Sequence, residues 1–214
     1  MLFFRPIGVH NVDQSMNNES LNPNAPFSLM DPGEQRRRLA MLNLPHMAPL
    51  TRYISEIKQD ESTERFIPNF DPCDGGIHAK GLFLLDSPDQ ATVASGFVSR
   101  NNMDYASKNL CVLLKRAGID RCNTLIWNLT PWMLADNEDP ITDRAFLLLE
   151  RLIKLLSQLR VVILIGDQVR SSGLKINRIA KTQIIPTRYP FIGTFNMRDD
   201  AKEDILKTFL RVAE

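Results

Sequence analysis

The chain has 214 residues, 43% of them hydrophobic, and its 26 Lys and Arg nearly balance its 25 Asp and Glu. These totals are typical of one globular domain with an extension, and the balanced charge indicates no class of partner. Three cysteines without paired spacing argue against a disulfide framework or a zinc ribbon, and no apolar run is long enough to span a membrane.

The N-terminal part has a composition unlike the rest of the chain. Residues 8–33 are rich in Asn, Ser, Pro and Asp, which leaves little to bury. We therefore expect residues 1–30 to form a flexible extension and residues 31–214 to form the domain. The first residues lack an adequate apolar core and a small-residue cleavage site, so we expect no secretion signal and a cytoplasmic protein with reduced thiols.

Two helices are predicted before the first strand. One begins near Pro32, with Asp31 as its N-cap, and it contains the three consecutive arginines of RRRLAMLNL. Those arginines can contact phosphate, but the pattern favours a solvated helix face. The second helix is predicted near Ala48–Asp60, because its apolar residues recur at helical spacing.

Short apolar runs then alternate with helical segments. The runs predict buried strands in GLFLLDSPD, NTLIWNLTPW, VVILIG and, more briefly, QIIPTRYP. Helices are predicted in SKNLCVLLKRAGI, over residues 142–159 and in DDAKEDILKTFLRVAE. This order predicts an α/β three-layer sandwich with a central four-stranded, mainly parallel sheet and helices on both faces.

Ligands of such sheets bind at the carboxyl ends of the strands. The residues that follow the four predicted strands are therefore the first candidates for a site, and they are DSPD (86–89), NLTPW (128–132), GDQ (166–168) and PTRYP (186–190). Residues 151–190 also contain eight Lys or Arg against a single acid, Asp167. Such a stretch is typical either of a face turned to a polyanion or of a solvated face whose counter-charges lie elsewhere.

These segments, taken in order, resemble the motifs of the uracil-DNA glycosylase superfamily. The resemblance is closest to single-domain bacterial branches that carry Gly-Glu-Ala-Pro-Gly or Glu-Ala-Pro-Gly-Pro after the first strand. The matching stretches here are LDSPDQ (85–90), GFVSRNN (96–102), IWNLTPW (126–132) and PTRYP (186–190), within a resemblance that covers about residues 66–212. The iron–sulfur branch uses four cysteines, which this chain does not have, so we expect no cluster and no metal.

The resemblance implies a role for each of the first three stretches. Asp86 would orient water and stabilise the positive sugar, with Ser87 and Pro88 beside the substrate. Phe97 would stack on the extruded base, and Asn128 would read its edge. Simpler roles stay open: Asp86 caps a turn, Phe97 is a core residue, and Asn128 bonds its own loop. Asp89 is a weaker candidate for a second acid, because a negative side chain there would repel phosphate.

The fourth stretch departs from the family, whose His-Pro-Ser-Pro motif stabilises the departing base anion. Aligning both prolines puts Thr187 in the histidine position, and aligning the His-Pro pair puts Tyr189 there. Neither is a histidine, although Arg188 can donate a charged hydrogen bond to the anion or to a phosphate. Residues 191–195, FIGTF, are a candidate apolar wedge for the vacated base position.

The resemblance therefore implies a monomeric, monofunctional DNA glycosylase that gives an abasic site, with Asp86, Asn128 and Thr187 as catalytic residues. Its substrate would be uracil or a modified base, and hypermodified phage bases would make it a defence enzyme rather than a repair enzyme. A catalytically silent base-reading protein is the alternative of another class. The expected DNA contacts are Ser99, Arg100, Arg170, Lys175 and Arg188.

Overall fold

A computed structural model describes residues 22–60, 65–135, 142–190 and 199–213. Its strands are β1 (Asn69–Phe70), β2 (Gly81–Leu85), β3 (Phe97–Val98), β4 (Thr124–Asn128), β5 (Val161–Ile165) and β6 (Gln183–Thr187). Its helices are α1 (Pro32–Met41), α2 (Ala48–Asp60), α3 (Gln90–Ser95), α4 (Tyr105–Arg116), α5 (Asp143–Leu155), α6 (Asp167–Ser171), α7 (Gly173–Ala180) and α8 (Asp199–Ala213). The candidate wedge, residues 191–195, lies outside the described residues.

The main sheet has the strand order β4-β2-β5-β6, and all of its neighbouring strands are parallel. The inner strands β2 and β5 are continuous apolar runs because helices cover both faces of the sheet, as in a three-layer α/β sandwich. The predicted fold class is therefore confirmed. Pro186, which has no backbone N–H, lies in the edge strand β6, where a missing donor is tolerated.

The cap predicted at Asp31 is confirmed, and Thr142, the first residue of the helix predicted over residues 142–159, caps α5. Asp31 accepts a hydrogen bond from the backbone N–H of Gly33 at 2.8 Å, and Thr142 accepts one from Ala145 at 3.2 Å. Helix α5 ends at Leu155, four residues before the predicted Leu159, because Leu156 leaves the helical conformation. The chain then turns into β5.

A small parallel sheet of β1 and β3 and the short helix α3 were not predicted from the sequence. Gly96 has a φ of 79° and ends α3, which turns the chain directly into β3. The segment around β1 reads as a loop in sequence because its prolines and glycines surround a strand of only two residues. These elements bring residues 96–102 beside the carboxyl ends of the main sheet.

A group of charged side chains is buried between α1, the loop after β1 and the segment after β3. We call it the buried ion cluster, and its members are Glu34, Arg38, Asp71, Asp74, Arg100 and Arg121. Arg38 is fully buried and binds Glu34, Asp71 and Asn101, so the expectation that all three arginines of α1 face solvent is wrong for this one. Its Glu34 partner is one helical turn earlier, at the i, i+4 spacing.

Residues 22–30 are packed against the same cluster. Arg38 donates to the carbonyl oxygen of Pro23 at 2.7 Å, and the buried Leu29 donates its backbone N–H to Asn101 at 3.2 Å. The packed part of the chain therefore begins before the expected boundary at Asp31. None of the described helices is long and apolar enough to cross a membrane.

Candidate functional site

A cavity of about 510 Å³ lies at the carboxyl ends of β2, β4 and β5. The chain leaves β2 toward β4 on one side, then crosses over to β5 on the other side, so β2 and β5 flank the topological switch point. Ligands of open parallel sheets bind in the crevice at such a point. Its lining residues are Leu85, Asp86, Ser87, Asp89, Thr92, Val98, Ser99, Asn102, Ser107, Asn128, Leu134, Gly166, Asp167, Gln168 and Tyr189.

Asp86 is the first residue after β2 and lies half-buried in this cavity. Its carboxylate accepts a hydrogen bond from the backbone N–H of Val169 at 2.7 Å, at the start of α6. Burial raises the pKa of Asp86, and Asp167 raises it further, against the backbone amides of Val169 and Gln168, which lower it. The carboxylate is therefore both a helix cap and a group exposed to the cavity.

Gly166 fixes how closely Asp86 can approach α6. It follows β5 directly and has a φ of 119°, a conformation that favours glycine. A Cβ atom built on Gly166 would lie 2.5 Å from Oδ2 of Asp86. The absence of a side chain at position 166 therefore lets the carboxylate rest against the turn that leads into α6.

Asn128 ends β4 directly opposite Leu85 of β2. The ladder continues past the strands, since Thr130 donates its backbone N–H to the carbonyl oxygen of Asp86 at 3.0 Å. The side chain of Asn128 is 2% exposed and lines the cavity, and its Nδ2 finds no hydrogen-bond partner in the described part of the chain. An unpaired buried donor costs about 1–3 kcal/mol, and a ligand or a bound water would offset this cost.

A second amide in the cavity has the same property. Asn102 donates to the carbonyl oxygen of Phe97 at 2.9 Å, which leaves its Oδ1 buried without a partner among the described residues. Asn102 also lines the cavity, so one lining contains both an amide with an unpaired donor, Asn128, and an amide with an unpaired acceptor, Asn102. Asn102 lies in the stretch that resembles the family, but the sequence did not single it out.

Tyr189 supplies the aromatic ring among the described lining residues. It is 37% exposed, so part of the residue is accessible from outside the protein. Burial raises the pKa of its hydroxyl group, and Asp89, Asp104 and Asp86 raise it further, so the hydroxyl stays neutral. A neutral tyrosine can stack and donate a hydrogen bond, but it is a weak proton donor.

The structure brings together Asp86, Ser87, Ser99, Asn128 and Tyr189, all of which were candidates from the sequence. It does not bring Phe97 to the cavity, because that side chain is completely buried. Successive residues of a strand point to opposite sides, and Val98 is the residue of β3 that faces the cavity. Pro88 is buried and is also not among the lining residues.

The expected DNA contacts are scattered. Arg100 is 5% exposed and belongs to the buried ion cluster, and Ser99 donates to Asp71 of that cluster at 2.5 Å. Lys175 is paired with Asp143 at 2.6 Å, and Arg170 is paired with Asp167 at 3.0 Å. Several basic residues of the 151–190 stretch thus have acidic partners, as a solvated face would.

Arg188 and Thr187 line a separate cleft of about 330 Å³ beside β6. Arg170 and Lys207 line it too, together with Asp204. Thr187 is 7% exposed and is not among the residues that line the main cavity. Of the two alignments of the histidine position, only Tyr189 therefore reaches the cavity.

Among the described residues, no group of three or more His, Cys, Asp or Glu is arranged to hold a metal ion. No protein-family model matches the chain, and no curated protein matches it. The fold and site define a parallel α/β protein with a polar, carboxylate-lined cavity at the switch point of its sheet.

Proposed function

We propose that this protein is a DNA glycosylase, which extrudes a base from DNA and hydrolyses the bond between that base and its sugar. The observation that carries the proposal is Asn128, a buried amide at a strand end whose Nδ2 is unpaired among the described residues and which lines a cavity large enough for a base. An amide that both donates and accepts suits the edge of a base. The resemblance in the strand-end motifs, Asp86 and Asn128 among them, supports the same function.

Asp86 is the group for the chemical step. When the bond between the sugar and the base breaks, positive charge develops on the sugar, and a carboxylate near it stabilises that charge. The carboxylate also accepts a hydrogen bond from the water that attacks the sugar carbon, and takes its proton. Because α6 and Gly166 hold Asp86 in place, little reorganisation is needed at the moment of reaction.

Tyr189 takes the stacking role in this proposal, because its ring lines the cavity and Phe97 does not. Stacking on an aromatic ring contributes about 1–3 kcal/mol per base. The cleft with Arg170, Arg188 and Lys207 adjoins α6, whose Asp167 and Gln168 line the cavity, and it is suited to a phosphate of the same strand.

The test is the release of abasic sites from duplexes that contain uracil or a modified base. Asp86→Asn and Asn128→Ala should each slow release at least about hundredfold, the usual contribution of a positioned acid–base group. Asp120→Asn and Asn177→Ala are matched controls on exposed positions and should keep the original rate. Release that survives both cavity substitutions unchanged would refute the site.

A silent base-reading protein is the second candidate. The observation that favours it is the hydrogen bond that ties the carboxylate of Asp86 to Val169, a structural role for the acid. In that case no duplex gives abasic sites, yet DNA that contains a modified base binds, and Asn128→Ala weakens the binding while Asp86→Asn does not.

A further inference from the structure

The charge of the cavity is one-sided. Asp86, Asp89 and Asp167 contribute carboxylates to its lining, and none of the described lining residues is Lys, Arg or His. A fourth carboxylate, Asp104, lies close enough to act on Tyr189, and its Oδ2 is buried without a partner in the described chain. Arg170 neutralises Asp167 in part at 3.0 Å, from the neighbouring cleft.

Acidic side chains alone do not define a ligand, but the same lining contains two amides whose unpaired atoms a ligand or a bound water would satisfy. Asn128 is 2% exposed and Asn102 is 1% exposed, and each has a polar atom without a partner in the described residues. A molecule that meets the Nδ2 of Asn128 and the Oδ1 of Asn102 lies among these carboxylates. Its charge therefore determines whether the surrounding field attracts it or repels it.

A neutral base such as uracil is poorly matched to this field. When the bond to the sugar breaks, such a base departs as an anion, and this anion must be stabilised by a cation or a strong hydrogen-bond donor. The family's histidine position holds Tyr189, a neutral hydroxyl surrounded by acids, or Thr187, which does not line the cavity. Negative charge on the departing base would thus develop next to carboxylates.

We propose, resting on the glycosylase function proposed above, that the substrate is a base with a positive charge, such as an N-alkylated purine. Cleavage of the bond between the sugar and the base sends its electron pair to the base nitrogen, so the base departs neutral and needs no anion stabiliser. The sugar cation forms beside Asp86, and the water oxygen bonds to the sugar carbon. The water proton passes to Asp86 and then to solvent, which leaves an abasic site, a neutral base and one proton.

The unpaired amides fit this class of substrate. Oδ1 of Asn102 can accept from a ring N–H or an amino group, and Nδ2 of Asn128 can donate to a carbonyl oxygen or a ring nitrogen. Asp89 and Asp167 line the cavity without belonging to the chemical step, and we assign them the selection of positive charge. The carboxylates attract a cationic base more strongly than they repel the neutral normal bases. The preference for the cationic base is therefore measured as a ratio of release rates.

The test compares duplexes with a single 7-methylguanine, uracil or guanine under single-turnover conditions. Each rate is corrected for spontaneous base loss in the same duplex with the Asp86→Asn variant. We expect 7-methylguanine to be released at least about tenfold faster than uracil, which corresponds to about 1.4 kcal/mol, and guanine not to be released. Uracil released as fast as 7-methylguanine would overturn the positive-charge proposal and leave the glycosylase proposal intact, whereas release of neither would overturn both.

The variant that isolates the charge is Asp89→Asn combined with Asp167→Asn. Asparagine caps a helix about as well as aspartate, so the cap that Asp89 provides to α3 is retained, and a melting curve checks the fold. The double variant should lower the ratio of 7-methylguanine to uracil release at least about tenfold. An unchanged ratio would overturn the assignment of these two carboxylates.

Discussion

The buried ion cluster and the cavity share the segment from Ser99 to Asn102, yet the polar groups of the two regions are paired differently. Arg100 contributes to the cluster, where Asp74 is 3.4 Å away, and Asn101 accepts hydrogen bonds from Arg38 and Arg121. Asn102 lies on the cavity side with an unpaired Oδ1. One short segment thus connects a cluster held together by ion pairs, in which only Oδ2 of Asp74 and Nε of Arg100 have no partner among the described residues, to an uncharged amide that lines the cavity.

This difference in pairing predicts different effects of substitutions in the two regions. A buried charge with close partners fixes the parts that it connects, here α1, residues 22–30 and the loop after β1. A buried polar group without a partner destabilises the fold unless a ligand or water uses it. Substitutions in the cluster should therefore lower stability, and substitutions in the cavity should lower activity at little cost in stability.

The largest expected effect comes from breaking the cluster. Arg38→Met keeps the length of the side chain but leaves Asp71 and Glu34 with fewer partners, which should lower the free energy of unfolding by about 3–5 kcal/mol. Urea denaturation measures it. Arg36→Met, on the exposed side of the same helix, is the control and should change stability by less than about 0.5 kcal/mol. Equal effects of the two substitutions would contradict the structural role of the cluster.

A smaller change in the free energy of unfolding is expected from substituting either of two buried polar residues of β4. Thr124→Val removes a hydroxyl group that is bonded to Arg100 and to the carbonyl oxygen of Arg121, and should destabilise the protein by about 1–3 kcal/mol. Asn128→Leu removes an unpaired donor and should leave the free energy of unfolding within about 1 kcal/mol or raise it. Thermal and urea unfolding of the pair give the comparison. A large loss from Asn128→Leu alone would mean that its amide is paired inside the protein.

The smallest effect concerns pH. The pKa of Asp86 is raised in the fold by burial, so the folded protein binds more protons than the unfolded chain between the ordinary carboxyl value and the raised one. Stability therefore falls slightly as the pH rises through that interval, and Asp86→Asn should abolish this fall while leaving the cap on α6 in place. The rate of base release should instead rise with pH through the same interval, because Asp86 acts in the chemical step as the carboxylate. Stability curves of the two proteins against pH, with Asp120→Asn as control, measure it.

The main sheet was predictable because its signals are local. Apolar runs that end at Asp86, Asn128 and Gly166 mark buried strands, and residues after parallel strands must meet at one edge. The same pattern singles out Asp86 and Asn128 from the sequence alone. The sequence also predicts an N-cap at Asp31 and a helix from Thr142, and both side chains accept a hydrogen bond from the first turn of their helix.

The predictions from the sequence were wrong or incomplete where contacts between residues far apart in the chain determine the position of a side chain. Three consecutive arginines point in three directions on a helix, and only the positions of Glu34 and Asp71 select Arg38 as the buried one. Phe97 points away from the cavity because its neighbour Val98 faces the cavity and side chains alternate along a strand. The pairing of β3 with a strand of only two residues is too short to recognise in sequence. The unpaired atom of Asn102 depends on a hydrogen bond that is visible only in the fold.

The contact between Gly166 and Asp86 links the permitted side-chain lengths at two positions that are 80 residues apart in the chain. A glutamate at position 86 would carry its carboxylate one methylene further into a space already bounded by the turn after β5. A lineage that lengthens this acid must therefore reshape that turn, and a lineage that adds a side chain at position 166 must move the acid. We expect homologous sequences to change positions 86 and 166 together, a correlation readable from sequences alone.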